Sequence, residues 1–183
     1  MNNLLLGNYK IENAKEDAGK LTFSGYACHF NSENLNREIV DEKSFDMFFN
    51  MYHSNQLTPI VNYNHDSNWI IGGVNDIISD STGLYLEAYL NKGVKINDEM
   101  LIPNILNNTI SGLSTEGYIA NGENGIVDKG NGAYYVKDFL LTAIAITPTP
   151  ADPNAKFTLK NYIDEYARIQ HTKNVSKPKW YFL

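Results

Sequence analysis

A chain of 183 residues, 43% hydrophobic and 20% charged, has the size and balance of one packed domain with a short tail. Its net charge of -6 and pI of about 5.1 exclude an extended nucleic-acid surface, which needs clustered Lys and Arg to neutralise phosphate. Cys28 is the single cysteine, so neither an internal disulfide nor a thiolate zinc cluster is available, and a reducing cytoplasm is expected.

No apolar run approaches the roughly 20 residues that span a bilayer, so no membrane contact is expected. Leu4-Leu5-Leu6 has no basic stretch ahead of it and does not read as a signal peptide.

Residues 8–12 alternate briefly and suit a short first strand. Residues 21–30 alternate strongly, with Leu21, Phe23, Gly25, Ala27 and His29 on one face. Gly25 inside that run marks a bulge or a close backbone approach. After the polar stretch 31–38, Phe45, Phe48, Phe49 and Tyr52 recur at helical spacing behind Asp41, a suitable N-cap. Residues 58–65 form a second strong strand, with Pro59 at its start and His65 at its end. Residues 69–78 form a third, interrupted by Gly72-Gly73. Asp80-Ser81-Thr82-Gly83 signals a hairpin into a strand over 84–90.

Residues 97–106 suggest a weaker helix that Pro103 keeps short or kinked. A strand is expected over 110–120 and a long glycine-containing loop over 121–132. That loop lacks the Lys-Ser/Thr ending of a phosphate-binding loop and carries Glu123 and Asp128. Residues 133–146 read as one long final strand, stopped by Thr147-Pro148-Thr149-Pro150. A terminal helix over 162–170 and a loose tail follow. The count is about seven strands and two or three helices, which predicts an α+β fold: a mainly antiparallel β-barrel with helices around it.

Two residues carry the chemistry. Ser114 lies between glycines in Gly112-Leu113-Ser114-Thr115-Glu116-Gly117, and a serine becomes a nucleophile only when a base takes its proton. His65 sits after an apolar run and between Asn64 and Asp66, a suitable setting for that base. The other histidines are weaker candidates. His53 is at a helix end, His171 is in the tail, and His29 neighbours Cys28 in a strand where the two side chains point to opposite faces. The four histidines lack metal-ligand spacing, so no metal and no cofactor is expected.

Phe23-Ser24-Gly25-Tyr26-Ala27, Val40-Asp41-Glu42-Lys43-Ser44-Phe45, Asn62-Tyr63-Asn64-His65-Asp66 with Ile71-Gly72, Gly83-Leu84-Tyr85-Leu86, Ile110-Ser111-Gly112-Leu113-Ser114 and the run from Ala143 to Ala151 follow one another in a particular order and spacing. That order resembles the prohead (capsid maturation) proteases of tailed phages, whose fold is similar to that of the herpesvirus assembly proteases. The resemblance covers about residues 20–156 and implies Ser114 as nucleophile and His65 as general base.

The resemblance also implies a serine endopeptidase of the immature phage head, assembled in the bacterial host cytoplasm. Its substrates would be the scaffold segment of the major capsid protein, or a separate scaffold protein, and often the protease itself, with self-association. Many relatives carry a glutamate where this chain has Ala143, and alanine cannot orient the histidine, which leaves a slow bare dyad or an acid from elsewhere. Glu116 is nominated, because residues two apart on a strand share a face. Asp138 and Asp66 are expected to face away.

The domain division implied is a protease domain over 1–160 and a C-terminal helix and processed tail over 161–183. Ala143 keeps a second reading open, a catalytically silent scaffold or assembly module. A small-ligand β-barrel lined by tyrosines is a third.

Overall fold

The computed structural model describes residues 19–159. The strand expected at 8–12, the helix expected at 162–170, His171 and the tail lie outside the described residues. Strand β1 (Lys20–His29) is followed by a two-residue strand β2 (Glu38–Ile39). A 3-10 turn (Glu42–Phe45) then runs into helix α1 (Asp46–His53). Asp41 caps this unit reciprocally: its carboxylate accepts from the Ser44 N–H at 3.0 Å, and the Ser44 hydroxyl accepts from the Asp41 N–H at 2.9 Å. Ser44 Oγ also donates to the Val136 carbonyl at 2.6 Å, which ties the helix start to a distant strand.

Strands β3 (Ile60–Tyr63), β4 (Asp66–Ser79) and β5 (Gly83–Asn91) form a meander. A π-helical turn (Asn97–Leu101) leads into the short helix α2 (Ile102–Leu106), with Pro103 in its first turn, where a missing N–H does little harm. Strand β6 (Gly112–Ile119) carries the serine. After it come β7 (Ile126–Asp128), β8 (Tyr134–Val136), β9 (Phe139–Thr147) and β10 (Phe157–Leu159).

Two of these strands correct the sequence expectation. The glycine-containing stretch 121–132 is not all loop, since it holds a 3-10 turn (Gly122–Gly125) and β7. The single strand expected over 133–146 is two strands in two sheets, parted at Lys137-Asp138. β8 joins a small sheet of order β2-β8-β7, whereas β9 enters the main sheet. A run of strand-forming residues shows that its backbone is extended but not that the chain changes partner at Lys137-Asp138.

The main sheet has the order β10-β1-β5-β4-β3-β9-β6. The α+β class holds, but the mainly antiparallel barrel expected is a curled, mixed sheet. β3 and β9 run parallel, with Ile60, Val61, Asn62 and Tyr63 opposite Ala143, Ile144, Ala145 and Ile146 in turn. The sheet curls, and its edges meet at one corner through the antiparallel bridge Gly112–Lys156 and the bonds Leu113 N–H to Ala155 O (2.9 Å) and Phe157 N–H to Ser111 O (3.1 Å). At that corner only glycine fits at position 25, where a Cβ would stand 2.1 Å from the Lys156 carbonyl oxygen. The core includes Phe23, Phe45, Phe48, Leu84, Leu86, Leu113 and Ile144. Each such side chain contributes about 1.5–3 kcal/mol by leaving water. The 3-10 turn and helix α1 lie against β9, with Phe45 of the turn edge-on to Phe139 at 5.7 Å.

Candidate active site

The site is built on three adjacent strands, β3, β9 and β6. Their registers set Asn62, Ala145 and Ser114 in one row and Ile60, Ala143 and Glu116 in the next. Residues in register share a face, and alternation sends their neighbours to the other. Val61, Leu113, Ile144 and Ile146 therefore belong to the core, while Asn62, Ser114, Glu116 and the two alanines of β9 occupy the opposite face. Ser114 is 5% exposed. Its strand begins at Gly112, where a Cβ would crowd the Thr147 carbonyl oxygen at 2.6 Å and Pro150 Cδ at 2.7 Å. The glycine before the serine thus lets β6 press against the loop after β9.

His65 does not end a strand, as the sequence suggested. β3 stops at Tyr63, and Asn64-His65 form the two-residue turn into β4, with φ of 55° and 61°. Two consecutive positive φ values match the twist of a tight hairpin, and Asn is among the residues that tolerate them. Asn64 staples the turn to β9: its N–H donates to the Ile146 carbonyl at 3.0 Å, and its Oδ1 accepts from Thr147 Oγ1 at 2.9 Å.

His65 is thereby held over the site, with its side chain 41% exposed and Nδ1 3.4 Å from Glu116 Oε2. That is an ion-pair distance, looser than a short hydrogen bond. The same Glu116 oxygen accepts a 2.7 Å hydrogen bond from Asn62 Nδ2. With Nδ1 turned to the carboxylate, Nε2 is the ring nitrogen left for another partner.

Ser114 and His65 line one cleft of about 330 Å³, together with Asn36, Glu38, Thr149 and Pro150. The glycine-containing stretch 121–132 contributes nothing to this lining. The cleft's outer wall comes from the loops 33–38 and 148–152. They are joined by the Leu35 N–H to Ala151 carbonyl bond at 2.8 Å.

Asp152 anchors the second loop. One of its oxygens accepts from the His29 N–H at 2.8 Å and lies 2.7 Å from His29 Nδ1, and the other accepts from the Asn154 N–H at 2.9 Å. His29 is therefore a brace behind the cleft wall. Burial pushes the Cys28 thiol up to about 12, so it stays protonated and offers no nucleophile. Asp138 accepts from Asn121 Nδ2 at 2.8 Å, and Asp66 accepts from Asn68 at 2.9 Å, so both have partners apart from His65.

Asn62 is the residue the sequence reading missed. Its signal was one polar side chain within the apolar run Ile60-Val61-Asn62-Tyr63, where an amide is out of keeping with a packed strand.

The fold is that of the viral assembly proteases. The capsid assembly protease of bacteriophage T4 superposes with a TM-score of 0.52 at 18% identity, over 68% of this chain and 80% of that one. KSHV protease, solved with a hexapeptide phosphonate inhibitor, gives 0.52 at 11% identity, over 88% and 78%. No protein of curated function matches by sequence. The family model described as caudovirus prohead serine protease matches residues 8–169, and the chain belongs to that family. It is accordingly a serine protease of phage capsid maturation.

Proposed function

We propose that Ser114 is the nucleophile, His65 the general base and Glu116 the acid that orients it, in an endopeptidase that cleaves the scaffold segment of the major capsid protein and cleaves itself. The observation that carries this reading is one cleft lined by Ser114 and His65, with a carboxylate 3.4 Å from His65 Nδ1. Ser114 Oγ attacks the scissile carbonyl carbon and its proton passes to His65 Nε2. The tetrahedral intermediate collapses, the C–N bond breaks, and the leaving amine takes the proton from His65. Water then attacks the ester carbonyl as His65 takes its proton, the bond to Ser114 Oγ breaks, and His65 returns the proton to that oxygen, freeing the acid.

The negative oxygen needs backbone donors. The Leu113 N–H points away from β9 to Ala155 O, and alternation turns the Thr115 N–H the same way, beside Ser114 on the sheet edge. Thr115 N–H is our candidate donor.

The protein works inside the prohead, assembled in the host cytoplasm and in contact with further copies. In this reading residues 1–160 hold the protease domain and 161–183 are a tail removed by processing. Ala143 favours the rival reading, a silent assembly module. Incubation with the capsid protein, read on a gel, separates the two. A capsid fragment formed by the wild type and lost in Ser114→Ala supports the enzyme. Unchanged bands with both proteins support the silent module.

A further inference from the structure

The buried amide of Asn62 is not explained by packing. It is 0% exposed, on the face of β3 opposite the core residue Val61 and in register with Ala145. Its Nδ2 donates to Glu116 Oε2 at 2.7 Å, and its Oδ1 has no hydrogen-bond partner. A buried acceptor without a partner destabilises a fold, and leucine, of similar size, would carry no such penalty. The amide's orientation is dictated, because turning it over would set its oxygen against the carboxylate.

The bond also spans an unusual distance. Glu116 is on β6 and Asn62 on β3, two strand spacings apart, or about 9.6 Å. Between them on the same face stand only Ala143 and Ala145, whose side chains end at Cβ. Over that low ground the glutamate lies flat, and the amide fixes its far end close to His65.

We infer that Asn62 is a positioning residue, one that holds the Glu116 carboxylate across the alanines of β9 so that an acid rooted on β6 serves a histidine on the β3–β4 turn. This deepens the reading of Ser114, His65 and Glu116 as the catalytic group and rests on it. Being fully buried, Asn62 meets no substrate, so its effect falls on kcat and not on KM.

The test measures kcat, KM and Tm for wild type, Asn62→Leu, Asn62→Ala, Glu116→Gln, Asn62→Leu/Glu116→Gln and Ser114→Ala, on a peptide spanning the cleavage site. Asn62→Leu should lower kcat about tenfold, the size of one hydrogen bond to a charged group, with KM within about twofold and Tm not reduced. In the Glu116→Gln background the same change should cost little more. Asn62→Ala, which is smaller, should show the same kcat loss if leucine does not fit. Cleavage lost in Ser114→Ala but undiminished in folded Asn62→Leu and Asn62→Ala overturns this inference alone. So does an equal loss with and without Glu116. Cleavage that persists in Ser114→Ala overturns the site reading, and this inference with it.

Discussion

Replacing Glu116 by glutamine tests the orienting acid with little change of shape. In the proposed mechanism His65 becomes an imidazolium 3.4 Å from the carboxylate as Ser114 loses its proton. Two unit charges at that distance attract by about 5 kcal/mol at an effective dielectric of ~20 and by about 1.2 kcal/mol in bulk water. The side chains are 41% and 32% exposed, so solvent screens the pair and the lower part of that range applies. A loss of about 1.4–2.7 kcal/mol corresponds to a fall in kcat of about ten- to a hundredfold.

This is far less than the cost of about 10⁴ when the buried acid of a serine-protease triad is altered, and exposure is the reason. The assay is peptide cleavage under saturating substrate, with circular dichroism to establish folding. Undiminished kcat in a folded Glu116→Gln protein refutes the argument. A loss near 10⁴ refutes the screening step and means that the site closes over the pair.

Two further outcomes follow from the supports around the cleft. Asp152→Ala removes acceptors for the His29 and Asn154 N–H groups, and should destabilise the protein by about 1–3 kcal/mol and raise KM more than it lowers kcat, because the cleft wall loosens while Ser114 and His65 stay put; urea unfolding and steady-state kinetics measure both. Partial burial works against the Asp41 carboxylate, but hydrogen bonds from the Tyr135 hydroxyl and from Ser44 outweigh it and hold its pKa below the usual value. A depressed carboxylate stabilises the fold above its unfolded pKa, near 3.9, and that contribution is lost as pH falls through the folded value. Tyr135→Phe should therefore shift acid unfolding to higher pH, read by tryptophan fluorescence between about pH 5 and 2; an unchanged midpoint contradicts the assignment.

Much of the fold could be read from local pattern. Period-two alternation located β1 and β5, and helical spacing behind Asp41 located α1, because both signals arise from neighbours in sequence. Ser114 and Glu116 could be set on one face for the same reason. The switch of β8 and β9 into different sheets and the parallel pairing of β3 with β9 were not legible, because each depends on which distant segment a strand meets. The turn at Asn64-His65 is local, but no glycine marks its positive φ values.

The sequence by itself determined the chemical groups, their order and the absence of an acid at Ala143, since these are properties of the chain. Only the tertiary structure decided that a carboxylate from another strand, Glu116, lies beside His65. Strand order brought β3, β9 and β6 side by side, register put Asn62 and Glu116 on the face of Ser114, and the small alanines between them left room for a glutamate to reach the histidine turn. Alternation names the face of a strand, but the neighbour across the sheet is chosen by the packing of the whole chain.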